Sequence, residues 1–115
     1  MADAYDLYNE LNNKINELNS AVASLERKGS EFAEAERNYK VALSKEVLSL
    51  RDKKLAATII PLVVYGVEDI AKLRFDRDVA EVLYQATQEK INAIKLQIRI
   101  IENQISRELG QTRFN

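Results

Sequence analysis

Apolar residues recur at alternating spacings of three and four over the first half of the chain. This heptad spacing is typical of helices that pack along a common seam. With Tyr8 as position a, the a positions are Tyr8, Ile15, Val22, Gly29, Glu36, Leu43 and Leu50, and the d positions are Ala4, Leu11, Leu18, Leu25, Phe32, Tyr39 and Glu46. The phase is unchanged across Gly29, which predicts one helix over residues 3–53. The alternative is a helix that ends at Gly29 and a second helix capped by Ser30.

The second half of the chain repeats the pattern. With Ile70 as position a, the a positions are Ile70, Arg77, Tyr84, Ile91, Ile98 and Ile105, and the d positions are Leu73, Ala80, Thr87, Ile94, Ile101 and Glu108. This spacing predicts a helix over residues 68–109, with Gly110 as its C-terminal cap. A helix of that length cannot fold back on itself, so it needs the first helix as its partner.

A short apolar segment separates the two halves. Thr58 suits an N-cap, Pro61 is tolerated in a first turn, and Gly66 suits a left-handed C-terminal cap. These signals predict a short helix over residues 59–65. A strand is the alternative, because Ile, Val and Tyr favour strands, but the sequence offers it no pairing partner. The predicted fold is all-α: a single domain over residues 1–115, forming a long antiparallel helical hairpin with a short apolar helix at its tip.

Apolar side chains also occur outside the seam, on the opposite side of the last helix. A helix in a two-helix hairpin needs only one buried stripe, so a second stripe favours a homodimeric helical bundle. The candidates for self-association are Val79, Val82, Ala86, Leu96 and Ile100. The alternative is that scattered surface Ala and Val residues carry no function.

The tip segment holds more apolar side chains than a short helix can hide. Some should cap the hairpin core, and the rest should face a second subunit or a partner protein. The candidates are Ile59, Ile60, Leu62, Val63 and Val64.

Composition argues against catalysis. The chain has no cysteine and no histidine, which excludes thiol nucleophiles, imidazole bases and the usual zinc ligands. Its many carboxylates lie on predicted exposed helix faces, and no glycine-rich phosphate loop is present. We therefore expect no enzyme, no metal site and no cofactor.

The charges nearly balance, at 17 basic and 18 acidic residues, so no overall field attracts nucleic acid or an anionic membrane. Six basic residues nevertheless fall around the tip and are weak candidates for DNA or RNA contact: Arg51, Lys53, Lys54, Lys72, Arg74 and Arg77. Arg77 occupies a seam position level with the mid-forties of the first helix. An ion pair between Glu46 and Arg77 is therefore expected to fix the register.

The N-terminal sequence is polar and acidic, unlike a signal peptide. The most apolar stretch, residues 55–67, is shorter than the roughly 20 residues that span a bilayer. We therefore expect a soluble protein of the cytoplasm that makes no membrane contact.

Two stretches, RNYKVALSKEVLSLRD at 37–52 and the segment 70–109, resemble small, mostly uncharacterised helical proteins of bacteriophages and prophages of Gram-positive bacteria. The resemblance implies a phage protein that acts in the bacterial host cytoplasm, near DNA-processing proteins. The expected function is that of a non-enzymatic helical protein that self-associates and binds another phage or host protein. The alternative is a nucleic-acid-binding accessory of phage recombination or replication.

Overall fold

The first helix, α1, spans Ala4–Asp52 in the computed structural model, which describes the backbone of residues 4–114 and the side chains of residues 4–110. Its predicted continuity through Gly29 is confirmed; its predicted first residue, residue 3, lies outside the described residues. A Cβ atom at position 29 would lie 3.1 Å from Cε2 of Tyr84. The glycine therefore marks the close approach of a tyrosine ring, and it does not end the helix.

The connection after α1 turns at Lys54, whose φ is 64°. Two backbone bonds close this turn, from the N–H of Lys54 to the carbonyl of Arg51 at 2.9 Å and from the N–H of Leu55 to the carbonyl of Leu50 at 3.1 Å. The left-handed conformation predicted for Gly66 is wrong, because no glycine in the described residues has a positive φ. The chain places its left-handed residue at the end of α1, where Leu55 can then turn back toward the core.

The second helix, α2, spans Ile60–Val64 and carries Pro61 in its first turn, as predicted. It is one residue shorter at each end than the predicted 59–65. Thr58 is not the N-cap: that position belongs to Ile59, and no side chain makes a capping bond there. The N–H groups of Ile59 and Ile60 instead bond to the carbonyl of Ala56.

The third helix, α3, spans Glu68–Phe114 and begins where the sequence predicts. The predicted stop at residue 109, with Gly110 as its cap, is wrong. A glycine inside a helix costs only about 1 kcal/mol relative to alanine, and no proline follows to break the helix. The helix therefore continues past Gly110.

Contacts within the chain group its residues into two compact units, each containing a segment of α1 and a segment of α3. The terminal unit comprises the described residues of Met1–Glu26 and Ala86–Asn115, and the central unit is Arg27–Gln85. The same two helices supply both units. The single domain expected over residues 1–115 therefore stays a prediction.

In the terminal unit, α1 packs antiparallel on α3. Leu7 contacts Ile101 and Ile105, whereas Ala21, further along α1, contacts Ile91 and Ile94. All four isoleucines occupy the a and d positions predicted for α3. The residues that α3 contributes to the core of this unit are thus the ones that the sequence predicts for its seam.

The seam predicted for α1 is partly wrong in this unit. Leu7 and Ala21 are buried, although the heptad places them outside the a and d positions. The predicted a residues are exposed instead: Tyr8, Ile15 and Val22. The helix is rotated so that the small Ala21 faces the large isoleucines of α3, while the polar hydroxyl of Tyr8 stays near water.

In the central unit, the predicted seam of α1 holds. Tyr39 and Leu50 are buried, and Leu50 packs with Ile60 and Val64 of α2. Ile70 at the start of α3 is buried as well. The fold is therefore the predicted all-α antiparallel helical hairpin, with a short helix between the long ones.

Candidate interaction surfaces

One group of exposed apolar side chains on the central unit lies on α3. Phe75 is 66% exposed and Val82 is 61% exposed, and Val79 and Leu83 are exposed beside them. Together with Asp78 these residues line a shallow depression of about 250 Å³. We call the four apolar residues the α3 patch.

The α3 patch arises from helical spacing. Its members lie three, four or one residues apart, which puts them on the side of α3 away from the buried Ile70. The sequence identified Val79 and Val82 but missed Phe75 and Leu83. Their spacing to Val79 was the available signal, since positions 75 and 83 each lie four residues from it.

The other self-association candidates lie in the terminal unit. Ala86, Leu96 and Ile100 are all exposed there, as a surface role requires. Ile100 also lines a groove with polar walls, in which Glu10 and Lys14 of α1 lie beside Gln97 and Gln104 of α3.

The five tip candidates divide into two groups. Ile60 and Val64 are buried against Leu50 and belong to the core. Ile59, Leu62 and Val63 are exposed, and Leu62 is 81% exposed. The sequence predicted that some of these residues cap the core and that others face outward, and the structure shows which residues belong to each group.

A second depression lies between the end of α1 and α2, with a volume of about 270 Å³. Its lining is formed by Leu43, Val47 and Arg51 of α1 and by Ala57, Ile60, Pro61, Val64 and Tyr65 of the connection and α2. Arg51 is the charged member of that lining. We call this depression the tip groove; sequence reasoning missed it because α1 and α2 must both be placed before it exists.

The six basic candidates are not alike. Lys72 pairs with Asp76 at 3.5 Å, and the Nε of Arg77 donates to Asp78 at 2.8 Å. The guanidinium of Arg74 lies 5.3 Å from the centre of the Tyr65 ring. Three of the six therefore already have partners within the chain.

The other three basic candidates, Arg51, Lys53 and Lys54, are exposed and form no ion pair among the described residues. They follow one another closely at the C-terminal end of α1. Part of their role is to balance the negative end of the helix dipole.

The ion pair predicted between Glu46 and Arg77 does not form. Arg77 instead places its guanidinium 4.8 Å from the centre of the buried Tyr39 ring. An aromatic face next to a half-buried arginine offers a cation–π contact without taking a carboxylate out of water. Arg77 therefore has a structural role in the seam.

Within the described residues, no group of three or more acidic side chains is placed to hold a metal ion. None of the described helices is long and apolar enough to cross a membrane. No family model, no curated protein and no solved structure matches this chain.

Proposed function

We propose that this chain is a non-enzymatic helical interaction protein that pairs with a second copy of itself and binds another protein. The observation that carries this proposal is the α3 patch. An exposed phenylalanine surrounded by Val79, Val82 and Leu83 forms a contiguous apolar surface, and such surfaces mark sites of association.

A second copy is the partner that fits the α3 patch best. The seam of α3 is already occupied by α1, and the α3 patch stays exposed among the described residues. A patch that is apolar throughout is self-complementary, and two-fold dimers are the commonest oligomers. The formal charge of −1 adds little repulsion between copies.

The setting we propose is the cytoplasm of a phage-infected or prophage-carrying bacterium. The support is the resemblance of 37–52 and 70–109 to phage and prophage proteins. The absence of cysteine and histidine from the sequence supports a non-catalytic role, because a thiol nucleophile and the commonest general base of enzymes are both missing.

A nucleic-acid-binding role in phage recombination or replication is the second candidate. Arg51, Lys53 and Lys54 favour it, because they are exposed cations with no ion pair in the described residues. Against it, Tyr65 is the ring nearest in sequence to Lys53 and Lys54, and Arg74 already covers one of its faces.

Mixing two copies that carry different affinity tags tests the proposal. Pull-down on one tag after nuclease treatment should recover the other copy, and Val82→Glu in both copies should abolish the recovery. Recovery that disappears when nucleic acid is digested would instead assign the association to DNA or RNA. Failure to recover wild-type copies at any protein concentration would reject self-association.

A further inference from the structure

We infer that the tip groove binds an acidic amphipathic helix of a partner protein, with one apolar side chain in the groove and a carboxylate on Arg51. This inference names the partner chemistry for the protein-binding part of the proposed function. It uses a surface other than the α3 patch, so each can fail without the other.

The groove has the size and lining for an apolar anchor. Its volume of about 270 Å³ is just below the roughly 300–1,000 Å³ typical of small-molecule pockets, which suits one or two side chains. Leu43 and Val47 form one wall, and Pro61 and Tyr65 form the other. Laying apolar side chains of a helix into such a groove is a recurring mode of peptide recognition.

Arg51 supplies the polar part of the recognition. It lines the groove, and its guanidinium has no carboxylate within 4.0 Å among the described residues, although Asp52 is its neighbour in sequence. A guanidinium beside an apolar groove is complementary to a carboxylate that follows an apolar side chain. Lys53 and Lys54 add positive charge at the same end of α1.

The groove favours a protein segment over nucleic acid. Apart from Arg51, the lining of the groove is apolar or aromatic. The sugar–phosphate backbone of a nucleic acid would therefore contact one cation and otherwise apolar side chains. Tyr65 is the one aromatic ring of the lining, and the guanidinium of Arg74 lies over one of its faces, which leaves at most one face for base stacking.

The test uses a fluorescein-labelled amphipathic peptide of leucine and glutamate, with leucine at helical spacings, and fluorescence anisotropy. A matched peptide with lysine in place of glutamate and a labelled oligothymidylate are measured beside it. The wild-type chain should bind the leucine–glutamate peptide in preference to both. Equal binding of the lysine peptide would overturn the role of Arg51, and binding of the oligothymidylate alone would overturn the protein partner.

Two variants address the groove itself. Ala57→Trp should fill it without removing a core side chain, because Ala57 is exposed, and Arg51→Glu should reverse its charge. Each should weaken peptide binding by about tenfold or more, which is the loss of one good contact. Circular dichroism checks that both variants remain helical.

Matched controls lie outside the groove on the same unit. Leu62→Asp removes an exposed apolar side chain of α2, and Lys45→Glu reverses an exposed charge of α1; neither residue lines the groove. Both should bind the peptide like the wild type. Equal loss in the controls and the groove variants would overturn the inference.

The dimer variant separates this inference from the proposed function. Val82→Glu should bind the peptide unchanged, and Ala57→Trp should still self-associate. Loss of self-association in Ala57→Trp, with no peptide binding by the wild type, would assign the groove to a second copy and overturn the inference.

Discussion

Arg77 is the residue at which the physical chemistry of the seam is clearest. It lies among apolar positions, yet its contacts are the Tyr39 ring at 4.8 Å and Asp78 at 2.8 Å. The bond to Asp78 involves an exposed carboxylate and adds little stability. The cation–π contact and the packing of the arginine stem therefore account for most of its contribution.

We predict that Arg77→Ala lowers the free energy of unfolding by about 1 kcal/mol, since a cation–π contact contributes about 0.5–1 kcal/mol and packing is also lost. Glu46→Ala should change it by less than about 0.5 kcal/mol, because Glu46 has no ion pair with Arg77. Urea unfolding followed by circular dichroism measures both. Equal losses in the two variants would instead favour the ion pair that the sequence suggested.

Helix α1 follows a heptad pattern in its sequence, yet the row of side chains that it buries in the terminal unit is not the row of a positions. In the terminal unit, Ala21 is 3% exposed and the neighbouring Val22 is 41% exposed, the reverse of the heptad assignment. The rotation places Ala21 in one buried cluster with Ile91 and Ile94 of α3.

The rotation of α1 gives a paired prediction. Ala21→Leu should lower the free energy of unfolding by about 1–3 kcal/mol, because it adds volume to a packed core. Val22→Leu should change it by less than about 0.5 kcal/mol, because that side chain already faces water. Thermal unfolding measures both, and a larger effect of Val22→Leu would restore the heptad seam.

The sequence predicts the ends of the three helices to within a residue or two, except at Gly110. Hydrophobic spacing and segment length are enough to recognise a helix and to place its ends. It does not predict which of two adjacent rows of α1 is buried, since Leu7 and Tyr8 both read as apolar. The candidate surfaces divide in the same way. Val79 and Val82 follow from spacing along one helix, whereas the tip groove depends on how α2 lies against α1, which no local pattern records.

At the scale of the whole molecule, the question is which partner contacts the exposed side of α3. Two packed helices bury one seam between them, and the side of α3 that carries Phe75 and Val82 stays exposed among the described residues. The terminal unit poses the same question with Leu96 and Ile100. A second copy of the chain is the partner that we propose for both surfaces.

Sedimentation equilibrium over a wide range of protein concentration tests this self-association most directly. The wild-type chain should approach twice its mass of 13.1 kDa as concentration rises, whereas Val82→Glu should stay at 13.1 kDa. Val41→Glu is the matched control, because Val41 is an exposed valine of α1 outside the α3 patch, and it should behave like the wild type. A wild-type chain that remains monomeric at the highest concentration, or a control that dissociates as fully as Val82→Glu, would contradict self-association through α3.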